Sequence, residues 1–465
     1  MNILNCDKDP SAPIGVLGLG RSGISTARFL ASNGYPVLAC EEGTPAPEAL
    51  ELQGLPGIDL RLSHFQREEI AKCRSIVLSP GIPRYHPVLA QPLATQTPIV
   101  NDIEILYQWS QQYSTLAYGR KPRFIGITGT NGKSTVTTLV GLMMEAAGFI
   151  TATGGNLGPP ALSLWDPQVE VYVLELSSFQ LESTLQFHPN TSALLNLTPD
   201  HLDRYPDLTS YLNAKKRIFI QQNREDYAIL NADDSVTLGP VIQEMHASPV
   251  QVIPFSIQRS CVGGVYVREG IVIDHRNYTP VPLLEVANLK ITGLHNLSNA
   301  VAAAAIALSE GVSGQTIAEV LQQFPGLAHR MEWIATKNDI RYYNDSKGTN
   351  VGAVVQSLRS FPDKVILIAG GRSKNSDFSS LASLIRQHVS GLVLMGEAAD
   401  EMAMAFAGLT PIARATQMNE AVALATRMAH PGEAVLLSPA CASLDMYRNF
   451  EERGERFREA VYGLS

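Results

Sequence analysis

The chain has 465 residues, too many for one small binding module and enough for three domains of about 150 residues each. Its net charge of −8 provides no global basic field to hold nucleic acid or an anionic membrane surface. With 45% hydrophobic and 17% charged residues it is core-rich, and its five cysteines, odd in number and without C-x-x-C spacing, point to a reducing compartment and away from a disulfide framework or structural zinc site.

Met1 to Pro13 carry no basic region leading into an apolar stretch, so no signal peptide is read. The longest apolar run, Ala300 to Leu308, is far shorter than the about 20 residues needed to span a bilayer. A cytoplasmic protein without a membrane span is expected.

The first element is a buried strand, Ile14 to Leu17, followed by a turn, a helix ending at Gly34 and a second strand, Pro36 to Cys40. This is a βαβ unit. Gln108 to Pro122 has little apolar periodicity, and a connection is expected there or slightly before it. Arg123 to Ile127, Tyr172 to Leu176 and Ser192 to Leu197 then read as buried strands, with a helix over Thr135 to Ala147.

An alanine-rich helix over Leu294 to Ser309 is followed by a break at Gln322 to Leu327. Strands resume near Ile340 and recur at Val365 to Ala369, Leu392 to Met395 and Ala434 to Leu437. Strand–helix alternation with glycine-bearing loops predicts an α/β protein of three domains, each a mainly parallel sheet with flanking helices. The first and last are expected to be Rossmann-like and the central one P-loop ATPase-like, divided as 1–101, 102–326 and 327–465.

The most informative segment, Gly126 to Thr135, stands between a strand and a helix. Such a loop aims backbone N–H groups and a helix N-terminus at phosphate oxygens, while Lys133 neutralises charge and Ser134 can bind Mg²⁺. Its spacing departs from the usual pattern, because Ile127 stands where a glycine is expected. Glu175, at the end of an apolar run, is a candidate metal-organising acid, since a carboxylate there is costly unless paired or on a metal. His201, in Asp200-His201-Leu202-Asp203-Arg204-Tyr205, could ligate a metal, handle a proton or be structural, with Asp200, Asp203 and Arg204 as capping and pairing groups. Lys215, in a basic helical stretch, reads by composition as part of a solvated face.

Gly18-Leu19-Gly20-Arg21-Ser22-Gly23, with Glu41 and Glu42 one strand later, suits a diphosphate at a helix N-terminus with an acid near a ribose. It does not specify which nucleotide. In the last third, the loops around Asn344 to Asn350, Gly370 to Lys374 and Ser438 to Ser443 all follow strands and precede helices, so they gather at one sheet edge. Cys441 among them reads as a small buried residue, since no histidine is its neighbour in sequence.

In their order these motifs resemble the Mur ligases of peptidoglycan synthesis. The resemblance is carried by Gly129 to Thr135, Leu174 to Leu181, Asp200 to Tyr205, His295 to Ala300 and Ser438 to Ser443, and it covers essentially the whole chain. It implies an ATP-dependent ligase that joins D-glutamate to UDP-N-acetylmuramoyl-L-alanine through an acyl phosphate, as a monomer and with two Mg²⁺ ions. Lys133, His201 and Lys215 would be catalytic; Gly129, Thr130, Asn131, Gly132, Lys133, Ser134, Thr135, Asn296, Arg330 and Asp345 would hold ATP. Ser134, Glu175, His201 and a carbamylated Lys215 would attend the metal.

The same resemblance places the UDP substrate on Gly18, Arg21, Ser22, Glu41, Ser79, Gly81 and Asn156, and D-glutamate on Thr349, Lys374, Ser443, Leu444 and Phe450. At the uracil end the chain has Cys40-Glu41-Glu42, where this ligase family often carries an Asp-Thr-Arg type run. Three domains around one site imply that the last swings about Phe324 to Leu327. The rivals are a sister ligase adding another amino acid, a nicotinamide-dependent oxidoreductase argued from Gly18 to Gly23, and a non-catalytic nucleotide-binding regulator. The Asp-Asn-Pro-Arg run of the diaminopimelate-adding enzyme is absent, and an oxidoreductase leaves Lys133 unexplained.

Overall fold

Runs of β-branched and aliphatic residues form buried strands because both faces of each sheet are covered by helices. A computed structural model describes residues 9–62, 64–156, 158–201, 204–234, 238–373 and 377–464. The first sheet holds β1 (Ile14–Leu17), β2 (Val37–Cys40), β3 (Ile58–Arg61), β4 (Ser75–Leu78) and β5 (Ile99–Val100), all parallel in the order β3-β2-β1-β4-β5. Its order reverses at β1, so the turn at Gly18 opens into the crevice where such sheets bind ligands.

The central sheet holds β6 (Arg123–Thr128), β7 (Thr151–Gly155), β8 (Val171–Glu175), β9 (Thr191–Leu194), β10 (Tyr227–Asn231), β11 (Gln251–Ser256), β12 (Val265–Arg268), β13 (Ile271–Asp274) and β14 (Val281–Glu285). Its order is β14-β13-β12-β11-β10-β9-β6-β8-β7, parallel except for the antiparallel pairs β12/β13 and β13/β14. The last sheet holds β15 (Glu332–Lys337), β16 (Ile340–Asn344), β17 (Val365–Gly370), β18 (Val389–Met395), β19 (Ile412–Arg414) and β20 (Ala434–Leu437). Its order is β15-β16-β20-β17-β18-β19, antiparallel only at β15/β16. The expected α/β class and mainly parallel sheets are therefore present, with strands resuming one element earlier than the sequence suggested.

The helices Lys133–Ala146 and Leu294–Ser309 pack together on one face of the central sheet. Ala300 and Ala302 to Ala305 are buried there, and their short side chains let the two backbones approach closely. The other face shares one continuous apolar core with the first sheet, running from Ile14 and Leu30 through Trp109 to Phe124 and Tyr172.

One expectation fails. Gln108 to Pro122 is not a connection, because Asp102–Tyr118 is a helix. Its stability comes from tertiary packing that a periodicity scan does not register. Trp109 stacks on Tyr113 at 4.1 Å and meets Phe29 edge-on at 5.1 Å, while Ser110 and Ser114 are buried. Glu104, fully buried on the same helix, accepts hydrogen bonds from the N–H groups of Leu185 at 2.7 Å and Phe187 at 3.0 Å, fixing the helix to the central domain. Among the described residues, no helix is long and apolar enough to cross a membrane.

Candidate active site

The turn after β6 is built for a phosphate. Gly132 has φ +85°, a conformation other residues rarely adopt, and a Cβ there would collide with Asn299 Oδ1. Lys133 Nζ donates to the carbonyls of Gly129 at 2.9 Å and Thr130 at 2.8 Å. Asn131 N–H donates to Asn196 Oδ1 at 2.9 Å, so the loop is held by the residue beyond β9. Ser134 and Thr135 lie buried on the first turn of the helix, beneath unsatisfied N–H groups that favour an anion.

Glu175 ends β8 beside this loop. Its Oε1 accepts from Asn156 Nδ2 at 2.7 Å, whereas Oε2 is buried with no hydrogen-bond partner among the described residues. Burial is the largest influence and opposes its ionisation, but the cations of Lys133 and Lys347, together with its hydrogen bonding, hold the carboxyl below its usual range. His201 has φ +56°, and its Nε2 stands 3.7 Å from Asp200 Oδ2, with the ring 4.8 Å from that of Phe179. Arg204 pairs with Glu182 at 3.0 Å and lies over the Phe179 ring; Asp203 is outside the described residues.

Composition alone makes Lys215 part of a solvated face, a reading the resemblance already opposes, and the structure buries it. The helix Leu208–Lys216 presses Tyr211, Ala214 and Lys215 down onto the phosphate loop, leaving Lys215 only 1% exposed. Its Nζ donates to the Gly129 carbonyl at 2.8 Å. Burial, reinforced by Lys133, pushes the amine well below the usual lysine range. The solvated lysine is its neighbour Lys216, paired with Glu244.

The last domain brings its loops to the same place. A cavity of about 750 Å³ is lined by Thr130 to Ser134, Glu175, His201 and Lys215 from the central domain and by Arg330, Asp345, Lys347, Thr349 and Phe450 from beyond it. Arg330 Nη2 donates to Ser134 Oγ at 3.4 Å. Asp345 accepts from Ser357 Oγ at 2.7 Å and Ser438 Oγ at 2.8 Å, and burial holds its carboxyl above the usual range. Lys347 Nζ sits 3.9 Å from the centre of the Phe450 ring, and burial lowers it to about 8.

Not every residue singled out from the sequence faces this cavity. Asn296 donates to the carbonyl of Thr292, just ahead of its helix, at 2.9 Å, and Asn299, one turn on, lines the cavity instead. Ser443 is buried and Leu444 is 60% exposed, neither on the cavity lining; Lys374 lies outside the described residues. Cys441 is fully buried, its carbonyl accepting from Arg453 Nη1 at 3.1 Å. Asn299, Lys347 and Asn350 were missed by sequence reasoning, because only their folded neighbours distinguish them from other polar residues.

Gly18, Arg21, Ser22, Glu41, Ser79 and Gly81 stand just beyond the C-terminal ends of β1, β2 and β4, away from the lining of the main cavity. Glu41 Oε2 accepts from Leu19 N–H at 2.6 Å, and Ser79 Oγ donates to the Gly18 carbonyl at 2.6 Å. Arg21 Nη2 donates to the Gly158 carbonyl at 2.7 Å, two residues beyond Asn156, which lines the main cavity.

A magnesium ion is compatible with these groups. Glu175 Oε2 is a buried oxygen without a partner, and the Ser134 hydroxyl and His201 line the same cavity. Among the described residues no cluster of three His, Cys, Asp or Glu side chains could hold an ion alone.

Three α/β units with a phosphate loop facing a cavity closed by a third domain define a nucleotide-dependent enzyme. Family models match in the same order: the Mur ligase MurD-like N-terminal domain over 12–101, the Mur ligase middle domain over 127–307, and the Mur ligase glutamate ligase domain over 329–441. The chain is 40% identical to the UDP-N-acetylmuramoylalanine--D-glutamate ligase of Trichlorobacter lovleyi, across 97% of this chain and 98% of that one. It is 41% identical to the enzyme of that name from Nitrosococcus oceani, across 96% and 95%.

Among solved structures, a pseudomurein peptide ligase type C from Methanothermus fervidus aligns with TM-score 0.60 and 19% identity over 98% of this chain and all of that one. UDP-N-acetylmuramate-alanine ligase from Thermotoga maritima aligns with TM-score 0.58 and 18% identity over 97% and 99%. The protein belongs to the Mur ligase family.

Proposed function

We propose that the protein is an ATP-dependent ligase that forms the amide bond between UDP-N-acetylmuramoyl-L-alanine and D-glutamate, a step of peptidoglycan precursor synthesis. One observation carries the reading: a phosphate loop, a buried unpaired carboxylate oxygen and the loops of a third domain meet around one cavity, in a chain about 40% identical to such ligases over nearly its full length. We further propose division at 101/102 and 326/327, and action as a monomer, since one chain supplies every group named.

A carboxylate is a poor electrophile, so the substrate's terminal carboxylate must first be phosphorylated. In this reading Lys133 and Arg330 neutralise charge on the transferred phosphoryl group, and the amides of Gly129 to Thr135 hold it in line. Ser134, Glu175 and His201 would hold Mg²⁺, which supplies charge screening between the two anions. Lys215, if carbamylated, would add an anion to that set. The D-glutamate amine, held near Thr349, Lys374, Ser443, Leu444 and Phe450, then attacks the acyl carbon, and the tetrahedral intermediate collapses to the amide as the C–O bond breaks, releasing inorganic phosphate and a proton; the protein's work is to position the amine. Gly18, Arg21, Ser22, Glu41, Ser79, Gly81 and Asn156 would hold the UDP substrate.

ADP release by the purified protein with ATP, Mg²⁺ and UDP-N-acetylmuramoyl-L-alanine across D- and L-amino acids tests the proposal. Turnover with D-glutamate alone is expected. Turnover with another amino acid would convert the assignment to a sister ligase.

A further inference from the structure

The helix Val351–Arg359 starts against the neighbouring domain, and its N-cap, Asn350, is buried at 6% exposure. The two ends of this amide do different work. Oδ1 accepts from Ala353 N–H at 2.8 Å and caps the helix, while Nδ2 donates across the domain boundary to Asp200 Oδ2 at 3.1 Å and Asn131 Oδ1 at 3.4 Å. Both acceptors belong to the catalytic edge of the central domain. Asp200 Oδ1 accepts from His201 N–H at 2.9 Å, and Asn131 stands in the phosphate loop. Beside them Gly352 admits no side chain, since a Cβ would lie 2.7 Å from Thr198 Oγ1, and Thr198 N–H is bonded to Thr130 Oγ1 at 3.1 Å.

We infer that Asn350 is a positioning residue: its bonds to Asp200 and Asn131 set the distance between the loop carrying Lys347 and Thr349 and the phosphate loop with His201. The inference rests on the proposed ligase reaction, in which one domain holds the amine and another the activated carboxylate. Attack requires the reacting atoms about 3–3.5 Å apart, so whatever fixes the two domains governs the rate more than substrate binding. Aspartate at this position caps the helix equally well but would face the Asp200 carboxylate, which isolates the cross-domain bond from helix stability.

Four full-length proteins test this: wild type, Asn350→Asp, Asp200→Asn and the double variant, in which the amide and carboxylate exchange places. Amide hydrogen exchange over 198–201 and 349–354 is read without substrate, and kcat and KM are read with D-glutamate. Asn350→Asp is expected to raise exchange in both segments and lower kcat about tenfold with the KM for the UDP substrate unchanged, yet to cost about twofold or less when Asp200→Asn is already present. An equal cost in both backgrounds, in exchange and in kcat, would overturn the inference. Should wild type turn over no acceptor, the ligase reading falls while the exchange data still decide the contact.

Discussion

The protein contains two glycine-rich turns of the same design, each between the first strand of a parallel sheet and a helix, and they are finished differently. At Gly18 to Gly23 the helix N-terminus is already met by the chain's own Glu41 carboxylate, bonded to Leu19 N–H at 2.6 Å. At Gly129 to Lys133 the turn carries a lysine, and the nearby acid, Glu175, leaves one oxygen without a partner. Glycine spacing sets the path of the backbone, and the residues around it set what is bound. In the proposed reaction the first turn would take a hydroxyl-rich edge beside a diphosphate, and the second a triphosphate with a cation.

Removing the lysine should break this contrast most severely. Lys133→Ala is expected to lower kcat by about 10²–10³-fold, with thermal stability and the affinity for the UDP substrate little changed. Steady-state kinetics and a melting curve measure both. The first turn is more vulnerable in its packing, because a Cβ on Gly23 would collide with the Gly18 carbonyl and lie 2.7 Å from Ser79 Oγ, whereas one on Gly20 meets nothing within 4 Å. Gly23→Ala should therefore destabilise the protein by about 1–3 kcal/mol and Gly20→Ala by under about 0.5 kcal/mol in denaturant titrations.

Glu41→Gln sharpens the contrast more gently. It keeps the shape but weakens a charge-assisted bond, so the KM for the UDP substrate should change by about tenfold or less while kcat with ATP holds. The smallest effect is a pH limb. Lys347 is lowered to about 8 by burial, so its cation is lost as pH rises through that value, and kcat/KM should fall there. Lys347→Arg stays protonated and should move the limb upward. Folding stability has the opposite sign: between about 8 and the ordinary 10.5 the unfolded chain binds the extra proton, so this group's contribution grows with pH.

The same contrast separates what could be read in the sequence from what could not. Gly129 to Ser134 and Gly18 to Gly23 were legible because phosphate turns require fixed local spacing between a strand and a helix. Lys215 was not, because a basic run on a helix looks alike whether its face meets water or the Gly129 carbonyl. The helix Asp102–Tyr118 was missed for a related reason: over its second half the buried residues are Trp109, Ser110 and Ser114, and the helix is held by partners far away in sequence, such as Leu185 and Phe187 for Glu104. Asn350 and Asn299 acquire their meaning only when segments far apart in the chain come together around the phosphate loop.

The central claim is that the two turns divide the nucleotides, with ATP at Lys133 and the UDP substrate at Gly18. Calorimetric titration of Lys133→Ala and wild type with a non-hydrolysable ATP analogue plus Mg²⁺, and separately with UDP-N-acetylmuramoyl-L-alanine, tests it directly. The variant should lose the analogue and bind the UDP substrate as wild type does. Loss of the UDP substrate, or undiminished binding of the analogue, would contradict the division.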